Sequence, residues 1–158
     1  MLASIQCFLA SGFGSGYSPI APGTVGSVVA SVIIFFGLKV SGIPFLIIFT
    51  VLSVVTSFWT ASAAEAAWGK DPGAMVVDEW AGMGVSLWAW FWTLGLNGEE
   101  LSVIHLLVGF VFFRLFDIWK PLGVNSMQKL SGGFGILFDD ILAGLYAGIG
   151  WYIVFKIW

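Results

Sequence analysis

Charge is what this chain most lacks. Of its 158 residues, 6 are Lys or Arg and 9 are Asp or Glu, 9% in all, against roughly 25% in soluble globular proteins. Hydrophobic residues make up 59% and aromatic residues 17%, and the mean hydropathy is +0.99. Too little polar surface is left to cover a water-exposed domain, whereas a lipid-facing surface needs no such cover. The 6 basic residues are scattered and the net charge is -3, which excludes the cationic stripe that binds nucleic acid. Cys7 stands alone, so neither an intramolecular disulfide nor a cysteine-built zinc site can form. The start, MLASIQCFLASGFGSG, has an apolar run without a basic region before it and is expected to be retained.

Charge-free stretches mark the helices. Met1–Leu38, Val40–Ala64, Trp80–Gly98 and Ile141–Phe155 contain no charged residue, and Leu101–Phe113 has His105 as its single titratable group. A bilayer core takes about 20 helical residues, with roughly 17 to 25 acceptable. Helices are therefore expected at 24–39, 43–66, 79–96, 101–119 and 138–157, with a short one at 2–11. The expected fold is all-α: a small multi-pass membrane bundle of about five main helices plus a short N-terminal helix, one domain over 1–158. Several of these helices are marginal in length, so a half-embedded bundle is the alternative. His105, in the apolar stretch of the fourth main helix, reads as structural.

Polar residues gather in four clusters: Gly12–Ser27, Lys70–Glu79, Arg114–Lys120 and Gly132–Asp140. Two apolar helices lie between the first and second, and two more between the second and third. Each pair goes out and comes back, so all four clusters are expected at one end of the bundle, with the turns at 40–44 and 97–100 at the other. Lys70, Arg114, Lys120 and Lys129 fall on the cluster side, Lys39 and Lys156 on the far side, which favours a cytoplasmic cluster side.

Five of the nine acids, Asp78, Glu79, Asp117, Asp139 and Asp140, sit in the converging clusters. Carboxylates beside apolar helices are costly unless paired, hydrated or bound to a cation. Hard oxygen donors of this kind suit magnesium or manganese; helix capping and pairing with Arg114 and Lys120 is the plainer reading. Arg114, Asp117 and Lys120 share one side of a helix that Pro121 ends. An arginine fork and a lysine beside acids suit a phosphate together with a divalent cation. In the first cluster, glycines allow close backbone approach, and Thr24 is expected to cap the next helix, leaving N–H groups for an anion. The spacing matches neither a P-loop nor a dinucleotide fingerprint.

With these segments in view, the chain resembles the phosphatidylglycerophosphatase A family. The resemblance runs through GFGSGYSPIAPGTVGS at 12–27, DPGAMVVDEWAGM at 71–83, FRLFDIWKP at 113–121 and GGFGILFDDILAG at 132–144, nearly the whole chain. Val77 stands where the family often has Trp, and Leu122–Ser131 lacks a second proline and an acidic residue that some members carry. The resemblance implies a magnesium-dependent phosphatase that converts phosphatidylglycerophosphate to phosphatidylglycerol in a bacterial inner membrane, its site facing the cytoplasm and its phospholipid substrate in the bilayer. It implies functional roles for Asp78, Glu79, Arg114, Asp117, Lys120, Asp139 and Asp140, with Ser18, Gly23 and Thr24 joining Arg114 and Lys120 on the substrate. Mg²⁺ would be held by Asp78, Glu79, Asp139 and Asp140. The nucleophile is either a water oriented by an acid or the carboxylate of Asp78 or Asp139. The oligomeric state stays open. A channel or transporter would need polar residues at mid-depth, yet 46–55, 85–94 and 145–154 are almost wholly apolar or glycine. A structural membrane protein gives no reason for five converging acids, and a phosphatase for another lipid or prenyl phosphate is not separable from sequence.

Overall fold

A computed structural model describes residues 1–70, 72–121, 123–127 and 132–157. The elements in them are helical: α1 (Leu2–Ala10), a 3-10 turn (Ser15–Tyr17), α2 (Pro22–Ser41), α3 (Ile43–Trp68), α4 (Val77–Thr93), a second 3-10 turn (Gly95–Asn97), α5 (Val103–Trp119), α6 (Val124–Met127) and α7 (Gly133–Ile157). Asp71, Lys129 and Ser131 lie outside the described residues. The last main helix starts at Gly133 rather than 138, because Gly132 takes the turn in the left-handed region (φ 62°) and lets 133–137 continue the helix. Asp139 and Asp140 are consequently in its second turn.

Three helices, Pro22–Ser41, Ile43–Trp68 and the α7 stretch Gly133–Lys156, are long and apolar enough to cross a membrane. With 17 residues each, α4 and α5 sit at the lower limit of about 17. The outward faces are apolar at helical spacing: Val28, Val32 and Phe36 on α2, Ile48, Val51, Leu52 and Val55 on α3, and Ile104, Leu107, Val111, Leu115 and Ile118 on α5 are all exposed. In water such stripes would be sticky; against lipid they are the normal surface.

Inside, small residues allow close helix crossing. The most extensive packing is that of α4 on α7. A Cβ added at Gly144 would lie 2.5 Å from the Gly82 carbonyl oxygen, and one at Gly82 would lie 2.7 Å from the Asp140 carbonyl oxygen. Backbone against backbone at this crossing brings the first turn of α4 to Asp140. The segment before α4 is pinned to the glycine-rich loop in the same way: the Val76 N–H donates to the Ala10 carbonyl at 2.9 Å, and a Cβ at Gly16 would fall 2.1 Å from the Ala74 oxygen.

At the other end, Gly42 (φ 64°) turns α2 into α3, and Lys39 reaches Glu100 across 3.7 Å. Both helix connections therefore meet there, as the pairing of apolar stretches requires. His105 serves α5 itself. Its Nδ1 accepts the Ser102 N–H at 3.2 Å while its own N–H donates to Ser102 Oγ at 3.3 Å, a reciprocal helix cap. Its carbonyl also takes the Trp151 indole N–H at 2.9 Å.

Candidate active site

Four helices deliver the site. Asp78 and Glu79 occupy the first turn of α4, where the helix dipole favours negative charge. Arg114 and Asp117 lie in the last turns of α5, and Lys120 closes that helix in the left-handed region at φ 48°. Such a conformation is costly without glycine; it turns the chain into Pro121. Asp139 and Asp140 come from α7, Gly23 and Ser27 from α2.

The acids divide into two sets. One carboxylate oxygen from each of Asp78, Glu79 and Asp140 can be chosen so that all three lie within 4.8 Å of one another. Asp78 Oδ1, Glu79 Oε2 and Asp140 Oδ1 are buried without a hydrogen-bond partner. Asp139, adjacent in sequence and also expected to hold the metal, is paired with Lys120. Its Oδ2 is 2.5 Å from Lys120 Nζ, and its Oδ1 accepts the Asp140 N–H at 3.1 Å. Burial disfavours the charge on Lys120, but the bond from Asp139 and the nearby Asp140 and Asp117 outweigh it and hold its pKa above the ordinary lysine value. Lys120 is therefore a cation throughout the neutral range.

Arg114 is fixed on one edge and open on another. Nη1 is 2.5 Å from Asp117 Oδ2 and 3.9 Å from Glu79 Oε1, and it donates to Ser27 Oγ at 3.3 Å. Ser27 Oγ in turn donates to the Gly23 carbonyl at 2.8 Å. The Arg114 Nε is buried with no acceptor. An unsatisfied buried polar group costs about 1–3 kcal/mol, more when charged, so the unpartnered Nε of Arg114 and the unpartnered oxygens of Asp78, Glu79 and Asp140 are groups that a ligand would satisfy. Charge says the same. Asp78, Glu79, Asp117, Asp139 and Asp140 carry five formal negative charges, against two positive on Arg114 and Lys120. The difference of three, among the described residues, calls for further cationic charge. The donor set is hard oxygen and fits Mg²⁺.

The glycine-rich segment packs on this cluster, though not through a threonine cap. Because Pro22 suits the first helical position, α2 begins there, with Ala21 (φ 47°) before it and no side-chain cap. Thr24 is thus within the first turn. Ser18 Oγ donates to the Ile20 carbonyl at 2.9 Å and shapes the loop. Gly23 is the tight contact: a Cβ there would stand 2.1 Å from Glu79 Oε1 and 3.3 Å from Arg114 Nη2. Gly23→Ala is expected to lower kcat/KM at least about tenfold while helicity by circular dichroism is unchanged, since small displacements of reacting groups are costly. Unchanged kinetics would mean that α2 does not hold Glu79 in place. Ser27 has no role in the sequence reading beyond ending the first polar cluster; it lies one helical turn after Gly23.

The family model described as Phosphatidylglycerophosphatase A matches residues 8–155. A Haemophilus influenzae protein named Phosphatidylglycerophosphatase A is 37% identical over 151 residues, covering 94% of this chain and 86% of its own length. An Escherichia coli protein of the same name is 35% identical over 155 residues, covering 92% and 81%. A Bacteroides thetaiotaomicron protein, provisionally named a phosphatidylinositol-3-phosphatase, is 38% identical over 159 residues, covering 92% and 90%. No solved structure matches the chain.

Proposed function

We propose, for a chain that belongs to the phosphatidylglycerophosphatase A family, that it is a Mg²⁺-dependent membrane phosphatase removing the terminal phosphate of phosphatidylglycerophosphate to give phosphatidylglycerol. The observation that carries this reading is the cluster of the Asp78, Glu79 and Asp140 carboxylates, each with a buried unpartnered oxygen, which Arg114 reaches through Nη1 at 3.9 Å from Glu79 Oε1. A phosphomonoester and a divalent cation would satisfy the arginine and the carboxylates at once.

In this reading Asp78, Glu79 and Asp140 would hold the cation, which when bound would neutralise phosphate charge and favour attack by water. Arg114 offers Nε to a phosphate oxygen while Asp117 and Ser27 keep the guanidinium in plane. Lys120, held by Asp139, supplies a second cation for charge that grows on the phosphoryl oxygens. Backbone N–H groups of the first turn of α2, at Gly23 and Thr24, point toward an anion at that helix end. Attack by a carboxylate would leave a trappable aspartyl phosphate, and attack by water would not. Because the carboxylates stand at one end of the bundle, a lipid can present its head group there while its chains stay in the bilayer.

The test is a detergent-solubilised assay of the purified chain across a panel of lipid phosphates. Phosphatidylglycerophosphate is expected to be the fastest substrate, EDTA to abolish turnover, Mg²⁺ or Mn²⁺ to restore it, and zinc to substitute poorly. The Bacteroides relative's name supports a second reading, a phosphoinositide monoester; it prevails if that lipid is turned over faster. Full activity in EDTA would overturn the metal dependence.

The proposed location is a bacterial inner membrane with the site facing the cytoplasm, supported by Lys70, Arg114 and Lys120 at the site end against Lys39 and Lys156. Single cysteines at Ser18 and Gly73, in a Cys7-free background, should be labelled by an impermeant thiol reagent from the cytoplasm, and cysteines at Ser41 and Asn97 from the other side. Labelling of all four from the cytoplasm would mean that α2 and α3 do not span.

A further inference from the structure

Three outer surfaces of the bundle lose their apolar character at one level. On α3 the exposed side chains are large and apolar through Val51, Leu52, Val55, Phe58 and Trp59; from Ser62 to Lys70 no large apolar side chain is exposed. On α5 every exposed residue after Ser102 is apolar, and the stripe ends on Ile118 and Trp119, 70% and 71% exposed. Both helices start at the end of the bundle where Lys39 meets Glu100, and Trp59 stands as many residues after Ile43 as Trp119 does after Val103. On α7 the first exposed large residue is Phe134, whose ring meets Phe58 at 4.9 Å and so lies level with Trp59. The site is at this level or below it. Asp117 and Lys120 bracket Ile118 and Trp119, while Asp139 and Asp140 follow Phe134 by five and six residues, about 7–9 Å further into the bundle along the helix. Asp117, Asp139 and Asp140 are buried inside the bundle, as ionisable groups within a membrane are.

We propose that the hydrocarbon boundary of the bilayer crosses the protein at Trp59, Trp119 and Phe134, so that the acidic site opens beneath the lipid head groups and takes its phosphomonoester from lipid in preference to water. The substrate half of this inference rests on the phosphatase reading; the depth does not. Lipid is the occupant because these side chains end apolar stripes on α3 and α7, two helices long and apolar enough to cross a membrane, and on α5 between them in sequence. A second chain would cover one side of the bundle, whereas three separate faces ending at one level describe the edge of a slab. Exposed tryptophan on two of the three is the residue expected at a membrane–water interface.

Depth is read without turnover in lipid nanodiscs, where both faces meet solvent. In the full chain lacking Cys7, an NBD fluorophore on Trp59→Cys, Trp119→Cys or Phe134→Cys should be quenched by phospholipid bearing a doxyl group near the top of an acyl chain and be shielded from iodide. The same label on Ala67→Cys, exposed beyond this level on α3, should show the reverse. Iodide quenching at the three positions equal to that at Ala67 would overturn the inference by placing the site in water; protection from both quenchers would overturn it by showing a second chain there. Substrate choice is the second arm. Trp59→Gln combined with Trp119→Gln should lower kcat/KM for dioleoyl phosphatidylglycerophosphate in nanodiscs, relative to dissolved dibutyryl phosphatidylglycerophosphate, at least about tenfold, as expected from the loss of two large interfacial anchors. An unchanged ratio in the folded double variant would overturn the link between depth and substrate. If the wild type hydrolyses neither lipid, the phosphatase reading fails, and the quenching still decides the depth.

Discussion

Asp140→Asn should lower kcat by at least about 10²-fold, the scale attached to single electrostatic groups in active sites, while leaving the protein folded and, without metal, no less stable. Asp140 is 4% exposed, and its Oδ1 has no partner. It shares its site with the carboxylates of Asp78 and Glu79. Removing one negative charge from that cluster relieves repulsion, so the loss is expected in function and not in folding. The companion measurement is thermal. Mg²⁺ should raise the Tm of the wild type by mass action on the folded state and raise that of Asp140→Asn far less. Asp139→Asn should behave in the opposite way. It leaves Lys120 without its 2.5 Å partner, and breaking this part-buried pair costs less than the roughly 3–5 kcal/mol of a fully buried one but still lowers Tm, while the Mg²⁺ shift persists. Activity within about threefold of wild type and an unaltered Mg²⁺ shift in Asp140→Asn would remove Asp140 from the metal set.

Arg114→Lys should reduce kcat/KM by about 10²-fold although charge is conserved. The guanidinium meets Asp117, Ser27 and Glu79 through Nη1 and keeps Nε for a ligand. Lysine is a point charge on a flexible stem and cannot hold an in-plane partner and a phosphate oxygen from fixed positions. The loss should appear with short-chain and long-chain substrates alike, as expected of a contact with the head group. If the lysine variant retains near-normal kinetics, a general positive charge is all that position 114 supplies.

The sequence was enough for the class of the fold. A composition of 9% charged and 59% hydrophobic residues leaves helices in lipid as the consistent structure, since each helix satisfies its own backbone hydrogen bonds. The alternation of apolar pairs with polar clusters was enough to place the turns after Lys39 and before Glu100 together, and Lys39 does meet Glu100 at 3.7 Å. Arg114 beside Asp117 was legible because three residues along a helix is one face.

Tertiary structure decided how those residues divide. Asp139 and Asp140 are neighbours in sequence, yet consecutive helical positions point about 100° apart, so one carboxylate turns to Lys120 and the other to Asp78 and Glu79. The crossing of Gly82 over Gly144 brings the acids of α4 and α7 together. Local pattern does not show which glycine is a turn and which is a contact. Ser27 gains its role only because α5 places Arg114 3.3 Å away, across 87 positions of sequence. Helix formation is set by residues within a few positions of each other, and hydrophobicity along the chain records it; the pairing of distant backbones depends on where side chains are missing, and that is decided only when the helices pack.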